Sequence, residues 1–174
     1  MRQIREPEPH YGSGLDPVPL LTTLVAVVLS CLPFGSWLGA GDAPAFAFVA
    51  VVYWALARPA GLSLISVFLA GLLFDFLSDG PPGMWALVYL IVYLVLSGQN
   101  RVDLNAPLVG HWAVCAAAAV GAGLFAWIIG SFYYALFLPF RPLMVHLGLA
   151  VAIYPLFALL SGLLPRAAIA GERV

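Results

Sequence analysis

The sequence predicts an all-α integral membrane protein built as a six-helix transmembrane bundle, and three observations carry that reading. First, 63% of its 174 residues are hydrophobic and only 9% are charged, with a mean hydropathy of +1.03. A globule of this size buries about 70% of the surface its unfolded chain exposes and needs a largely polar outside, for which the charges are missing here. Second, six apolar runs fill the chain from Val18 to Leu164, parted by short charged or turn-forming loops. Third, threading those runs back and forth puts six of the seven arginines on one side and one on the other.

The elements follow in order. Residues 1–16 mix Pro, Gly and charge without apolar periodicity and read as a flexible cytoplasmic tail. Such a polar start, followed by a long apolar run, is not a cleavable signal peptide. Residues 17–166 form the six-helix transmembrane domain, and 167–174 a second short cytoplasmic tail. Asp16-Pro17 is a helix start, with a side-chain acceptor at the cap and a proline where no amide donor is needed. The first span runs from Val18 to Leu38 and bends or ends near Pro33 and Gly35. Asp42 and Pro44 start the second, which stops at Ala57 because Arg58-Pro59 does not continue a helix.

The third span covers Leu62 to Leu77 and ends at the turn Ser78-Asp79-Gly80-Pro81-Pro82. The fourth runs from Gly83 to Leu96 and closes with Ser97-Gly98-Gln99-Asn100-Arg101. Asn105 and Pro107 start a fifth stretch that stays uncharged to Pro139. It is longer than the roughly 20 residues one crossing needs. Its end, Ser131 to Phe137, is aromatic enough to tilt into or lie along the interface. The sixth begins at Pro142, carries Pro155 in its middle and halts at Pro165-Arg166. Spans two to four are short, at about 21–24 Å of helix, so local thinning or snorkelling ends are implied.

Orientation follows from the arginines, since lysine is absent. With a cytoplasmic N-terminus, Arg2, Arg5, Arg58, Arg101, Arg166 and Arg173 lie inside and Arg141 outside, so both termini are predicted cytoplasmic. A formal net charge of −1 without basic clusters excludes nucleic-acid binding. Cys31 and Cys115 sit inside apolar runs at no metal-type spacing and read as small buried hydrophobes.

Asp75, in Ala70-Gly-Leu-Leu-Phe-Asp-Phe-Leu77, is the candidate site residue, because a carboxylate inside a membrane is a functional hypothesis by default. It lies in the last turn of its helix, whose negative dipole end it opposes. Two compensations are available: the free amides at the start of span four, or Arg141. The plain reading is a structural cap that fixes the hairpin; the sharper ones are a ligand or proton site, or a partner contact. Catalysis finds little support. Asp79 is held in a turn by the residues after it, and His111 and His146 have no Glu or Cys at ligand spacing. No metal or cofactor site is expected.

Small residues form the other signal. Cys115, Ala119 and Gly123 share one helical stripe, with Ala117 and Gly121 beside it, and Gly148 and Ala152 offer a similar stripe on span six. Such stripes let backbones approach in lipid. Packing inside this bundle is the plainer use, and contact with another subunit or a second copy is the alternative. Met84, Trp85, Trp112 and Trp127 read as ordinary core or interfacial residues.

The middle of the chain carries a resemblance. Tyr53-Trp-Ala-Leu-Ala-Arg-Pro59, Phe68-Leu-Ala-Gly-Leu-Leu-Phe-Asp75, Pro82-Gly83 and Ala86-Leu-Val-Tyr89 resemble the MreD family of bacterial rod-shape-determining proteins. The resemblance spans about residues 50 to 93 and implies a non-enzymatic inner-membrane subunit of the cell-elongation machinery, regulating peptidoglycan synthesis. It implies MreC as partner, and through it or directly RodA, a class B penicillin-binding transpeptidase and the actin-like MreB. It also implies a fold similar to the substrate-binding components of vitamin transporters. Pro59, Gly71, Asp75 and Gly83 match family positions and look architectural; the long fifth stretch departs from the pattern. The rival function is a vitamin-binding subunit of an energy-coupling transporter, for which Asp75, Asp79, Arg141, Tyr133 and Tyr134 would supply polar groups on the outer side.

Overall fold

The computed structural model describes residues 17–32, 45–59, 61–78, 80–98 and 108–171, with Leu108 and 162–171 as backbone only. The described residues form six helices and no strand: α1 Pro17–Cys31, α2 Phe46–Ala57, α3 Leu64–Leu77, α4 Met84–Gly98, α5 Leu108–Tyr133 and α6 Phe140–Gly171. Two stretches are long and apolar enough to cross a membrane by length and composition, Val109–Tyr133 and Phe140–Ser161. The other four helices have 12 to 15 residues.

Packing centres on α2, which touches all five other helices. A helix apolar on every side is stable only when enclosed, and here Ala47 through Val52 and Trp54 through Leu56 are all buried. Around it α3 meets α1 and α4, α4 meets α5, and α5 meets α6, while α3 reaches neither α5 nor α6. Two buried or partly buried polar pairs join α1 to α2. Trp54 Nε1 donates to Thr22 Oγ1 at 2.9 Å, and the Ala47 amide at the start of α2 donates to Ser30 Oγ, also at 2.9 Å. Ala45, at the cap position of α2, has no side-chain acceptor of its own. Ser30, in the last turn of α1, supplies it.

Helix ends depart from expectation in physically legible ways. α3 starts at Leu64 rather than Leu62, because Ser63 Oγ accepts the Ser66 amide at 3.1 Å and caps it. α5 is one continuous helix that ends at Tyr133, where Leu136 N bonds to Ser131 O and Ala135 N to Phe132 O. That is a Schellman closure with Ala135 at φ 50° in the position glycine usually holds. The aromatic segment therefore divides between the last turn of α5 and an exposed turn. α6 starts at Phe140, two residues before Pro142, and does not halt at Pro165-Arg166 but continues to Gly171. A proline removes one donor and kinks a helix, but the neighbouring bonds need not fail with it.

Pro155 shows how such a break is healed. Its missing N–H leaves the Val151 carbonyl, four residues earlier, without a helical donor. Trp112 Nε1 of α5 donates to that carbonyl at 2.9 Å. Fifteen residues along α5, Trp127 Nε1 donates to Leu138 O at 2.9 Å, just ahead of α6. Two indoles expected to be ordinary core or interfacial residues thus staple α5 to α6 and to the segment just ahead of it. Trp112→Phe is expected to cost about 1–3 kcal/mol by orphaning the carbonyl. The loss should shrink in a Pro155→Ala background, where an N–H returns to Val151 O. Chemical denaturation of the parent and the three purified variants gives the cycle.

Candidate functional site: a carboxylate clamp between two helices

The site is built where α3 ends and α4 begins. α4 opens on Gly83, at φ 91°, a conformation that favours glycine and leaves the cap position without a side chain. A helix so started has first-turn amides with no acceptor of its own. Asp75, in the last turn of α3 and only 1% exposed, fills that role. Its Oδ2 accepts from Gly83 N at 2.9 Å and Ala86 N at 3.3 Å, and its Oδ1 from Trp85 N at 3.0 Å. Met84 N bonds to Pro81 O and Leu87 N to Gly83 O, so every amide from Gly83 to Leu87 has an acceptor.

Of the two compensations open to Asp75, the geometry therefore uses the amides. Arg141 is exposed in the first turn of α6. The negative charge gains from the positive end of α4 what it loses at the negative end of α3, and three hydrogen bonds decide the balance.

Gly71 makes the clamp reachable. A Cβ there would lie 2.4 Å from Ala86 Cα and 2.8 Å from Ala86 N, so the two backbones touch at this point. Gly71 and Asp75 are one turn apart on the same face of α3, one permitting the approach and the other fastening it. Phe74, Trp85 and Tyr89 pack beside them as a ring cluster with centroids 5.7–6.2 Å apart. The opposite end of the hairpin is tied too. The Tyr93 hydroxyl of α4 lies between the carbonyls of Pro59 and Leu62, which share its one proton. Pro59 thus contributes through its carbonyl, and Tyr93, absent from the sequence-predicted set, is the residue that uses it.

Cys115 and Ala119 of α5 are buried with Ala122 and Ala126, and a Cβ on Gly123 would meet Leu147 Cδ1 of α6 at 2.9 Å. This stripe packs the bundle together. Gly148 and Ala152 face outward instead; Leu147, Ala150 and Tyr154 are the inward face of α6. Asp42, Asp79 and Arg101 lie outside the described residues.

Behind the clamp a cavity of about 350 Å³ opens between the hairpin and the α5–α6 turn, walled by Phe74, Trp85, Gly130, Tyr134, Leu143 and His146. The His146 ring lies 6.0 Å from that of Trp85, tilted by 56°. Among the described residues no three His, Cys, Asp or Glu come together as a metal site. Both oxygens of Asp75 are committed to amides, which suits a fastening and not a general base.

These features define a protein all-helical among its described residues, with an apolar exterior and a few buried polar side chains, Ser30, Trp54 and Asp75 among them, that join one helix to the next. The chain belongs to the MreD family: the description "rod shape-determining protein MreD" matches residues 17–164. It is accordingly a membrane-associated protein of rod-shape determination. Comparison with curated proteins and with solved structures gives no match, so the expected likeness to vitamin-transporter components rests on the family resemblance alone.

Removing the clamp leaves buried amides without acceptors, so Asp75→Ala is expected to cost about 2–4 kcal/mol. Asp75→Asn keeps one acceptor and should cost about 1 kcal/mol. Asp79→Ala, at a residue that the sequence predicts to be in a turn, should be milder than Asp75→Ala. Gly71→Ala should cost about 1–3 kcal/mol by forcing the helices apart. Thermal melts in detergent rank the four; Asp75→Ala melting like the parent would contradict the clamp.

Proposed function

We propose that this chain is a non-catalytic, six-span subunit of the cell-elongation machinery in the bacterial inner membrane. It supports assembly and regulation of peptidoglycan synthesis with MreC, and through MreC or directly with RodA, a class B penicillin-binding transpeptidase and MreB. The single observation that carries this reading is the family match over residues 17–164. The clamp agrees with it: the one buried carboxylate among the described residues fastens a hairpin and holds no reacting atom.

The four short helices cross because their ends are tied. α1–α2 and α3–α4 are each joined by a side chain that accepts first-turn amides of the next helix, which spares those donors exposure to hydrocarbon. α5 crosses once, its 26 residues taking up a tilt. With six of seven arginines inward, both termini lie in the cytoplasm.

Reporter fusions after Arg101 and at the C-terminus should report the cytoplasm, and one near Asp42 the outside. A periplasmic C-terminus would mean an odd number of crossings. Depletion should turn rod-shaped cells round, and the purified protein should turn over no lipid or peptidoglycan precursor. Normal rods after clean deletion, with no second copy present, would sink the elongation role.

A further inference from the structure

The two flanks of the bundle differ in height. On one, the apolar stretches of α5 and α6 hold 25 and 22 residues, about 33–38 Å of helix and enough for a hydrocarbon core of ~30 Å. On the other, α3 and α4 hold 14 and 15 residues, only about 21–22 Å. This hairpin cannot borrow length at either end. Ser63 caps α3, Tyr93 ties the Pro59–Leu62 connection to α4, and Asp75 closes the other end.

A short span meets a thick bilayer by long cationic side chains at its ends, by association, or by thinning the lipid. The first is closed at the end formed by residues 77–83, because no Lys or Arg lies between Pro59 and Asn100 and the flanking Arg58 and Arg101 both adjoin the opposite end. The outward face of α3 also argues against a helix docked on it. Its small residues, Ala70 and Gly71, are buried against the bundle, and the exposed strip consists of bulky Ile65, Phe68, Leu69 and Phe76. Close helix packing in lipid uses small residues, whereas branched and aromatic side chains suit acyl chains.

We infer that the α3–α4 flank is a lipid-thinning surface: it draws a bilayer of ordinary thickness down by about 8 Å beside it, and the partner it fits is phospholipid with short acyl chains. This rests on the reading that the hairpin crosses the membrane.

The test places an environment-sensitive fluorophore on Ile65→Cys or Phe76→Cys, near opposite ends of the exposed strip, in a Cys31→Ala, Cys115→Ala background. Val109→Cys and Phe132→Cys on α5 serve as references for the tall flank. Each is reconstituted full-length in dioleoyl phosphatidylcholine vesicles and quenched by lipids carrying a nitroxide at the headgroup or deep in the chain. Local thinning requires that the headgroup nitroxide quench the Ile65 and Phe76 probes best, as it does the references. Preferential deep quenching at either position, with the references still shallow, would overturn the thinning while leaving the crossing intact. Probes reached only by a water-soluble quencher would overturn the crossing itself, and probes reached by neither would mean a protein covers the flank. As a second measurement, on the unmodified protein, thermal melts should fall from dimyristoleoyl through dioleoyl to dierucoyl bilayers. Highest stability in dierucoyl lipid would count against the proposal.

Discussion

A helix that begins inside an apolar environment exposes amide donors that hydrocarbon cannot satisfy, and most of this bundle follows from that constraint. α2 opens on Ala45 and α4 on Gly83, and neither residue has a side chain able to cap. In both cases the acceptor comes from the last turn of the preceding helix: Ser30 for α2 and Asp75 for α4. Capping across a hairpin does two things with one group. It satisfies the donors and fixes the angle at which the second helix returns. The charged version, at α4, is the stronger, because its carboxylate accepts three bonds and meets the positive end of the helix dipole.

Backbone carbonyls follow the same logic with other donors. Pro155 frees a carbonyl in α6 that Trp112 takes up, and the carbonyls of Pro59 and Leu62 receive the Tyr93 hydroxyl. Where no polar group is spent, glycine and alanine do the joining, as at Gly71 against Ala86 and Gly123 against Leu147. Each of these contacts ties one helix to a neighbouring helix or to the connection beside it.

Much of this was legible in the sequence, for stated reasons. The apolar runs and the Pro, Gly and Asp residues between them locate six helices, since those signals act over one or two turns. The oddity of Asp75 was also legible, because a carboxylate among Leu72, Leu73, Phe74 and Phe76 demands a partner. Its choice of amides over Arg141 was not, since that depends on where α4 starts in space. Ser30, Tyr93 and Trp112 were missed because their bonds join residues 17, 31 to 34 and 39 positions apart, beyond any periodicity. The stop expected at Pro165 failed because a proline costs one bond, and the helix has others. For the stripe of Gly148 and Ala152, spacing alone leaves packing inside the bundle and contact with another subunit both open; Leu147 and Tyr154, off that stripe on the same helix, hold the inner face.

The central claim is that the Asp75 carboxylate holds the start of α4, and amide hydrogen exchange tests it most directly. In lipid nanodiscs, the amides of Gly83, Trp85 and Ala86 should exchange slowly in the parent protein. In Asp75→Ala they should exchange at least tenfold faster, a loss of about 1.4 kcal/mol of local protection. The amides of α2 should stay protected in both. Equal protection at Gly83, Trp85 and Ala86 in parent and variant would contradict the account.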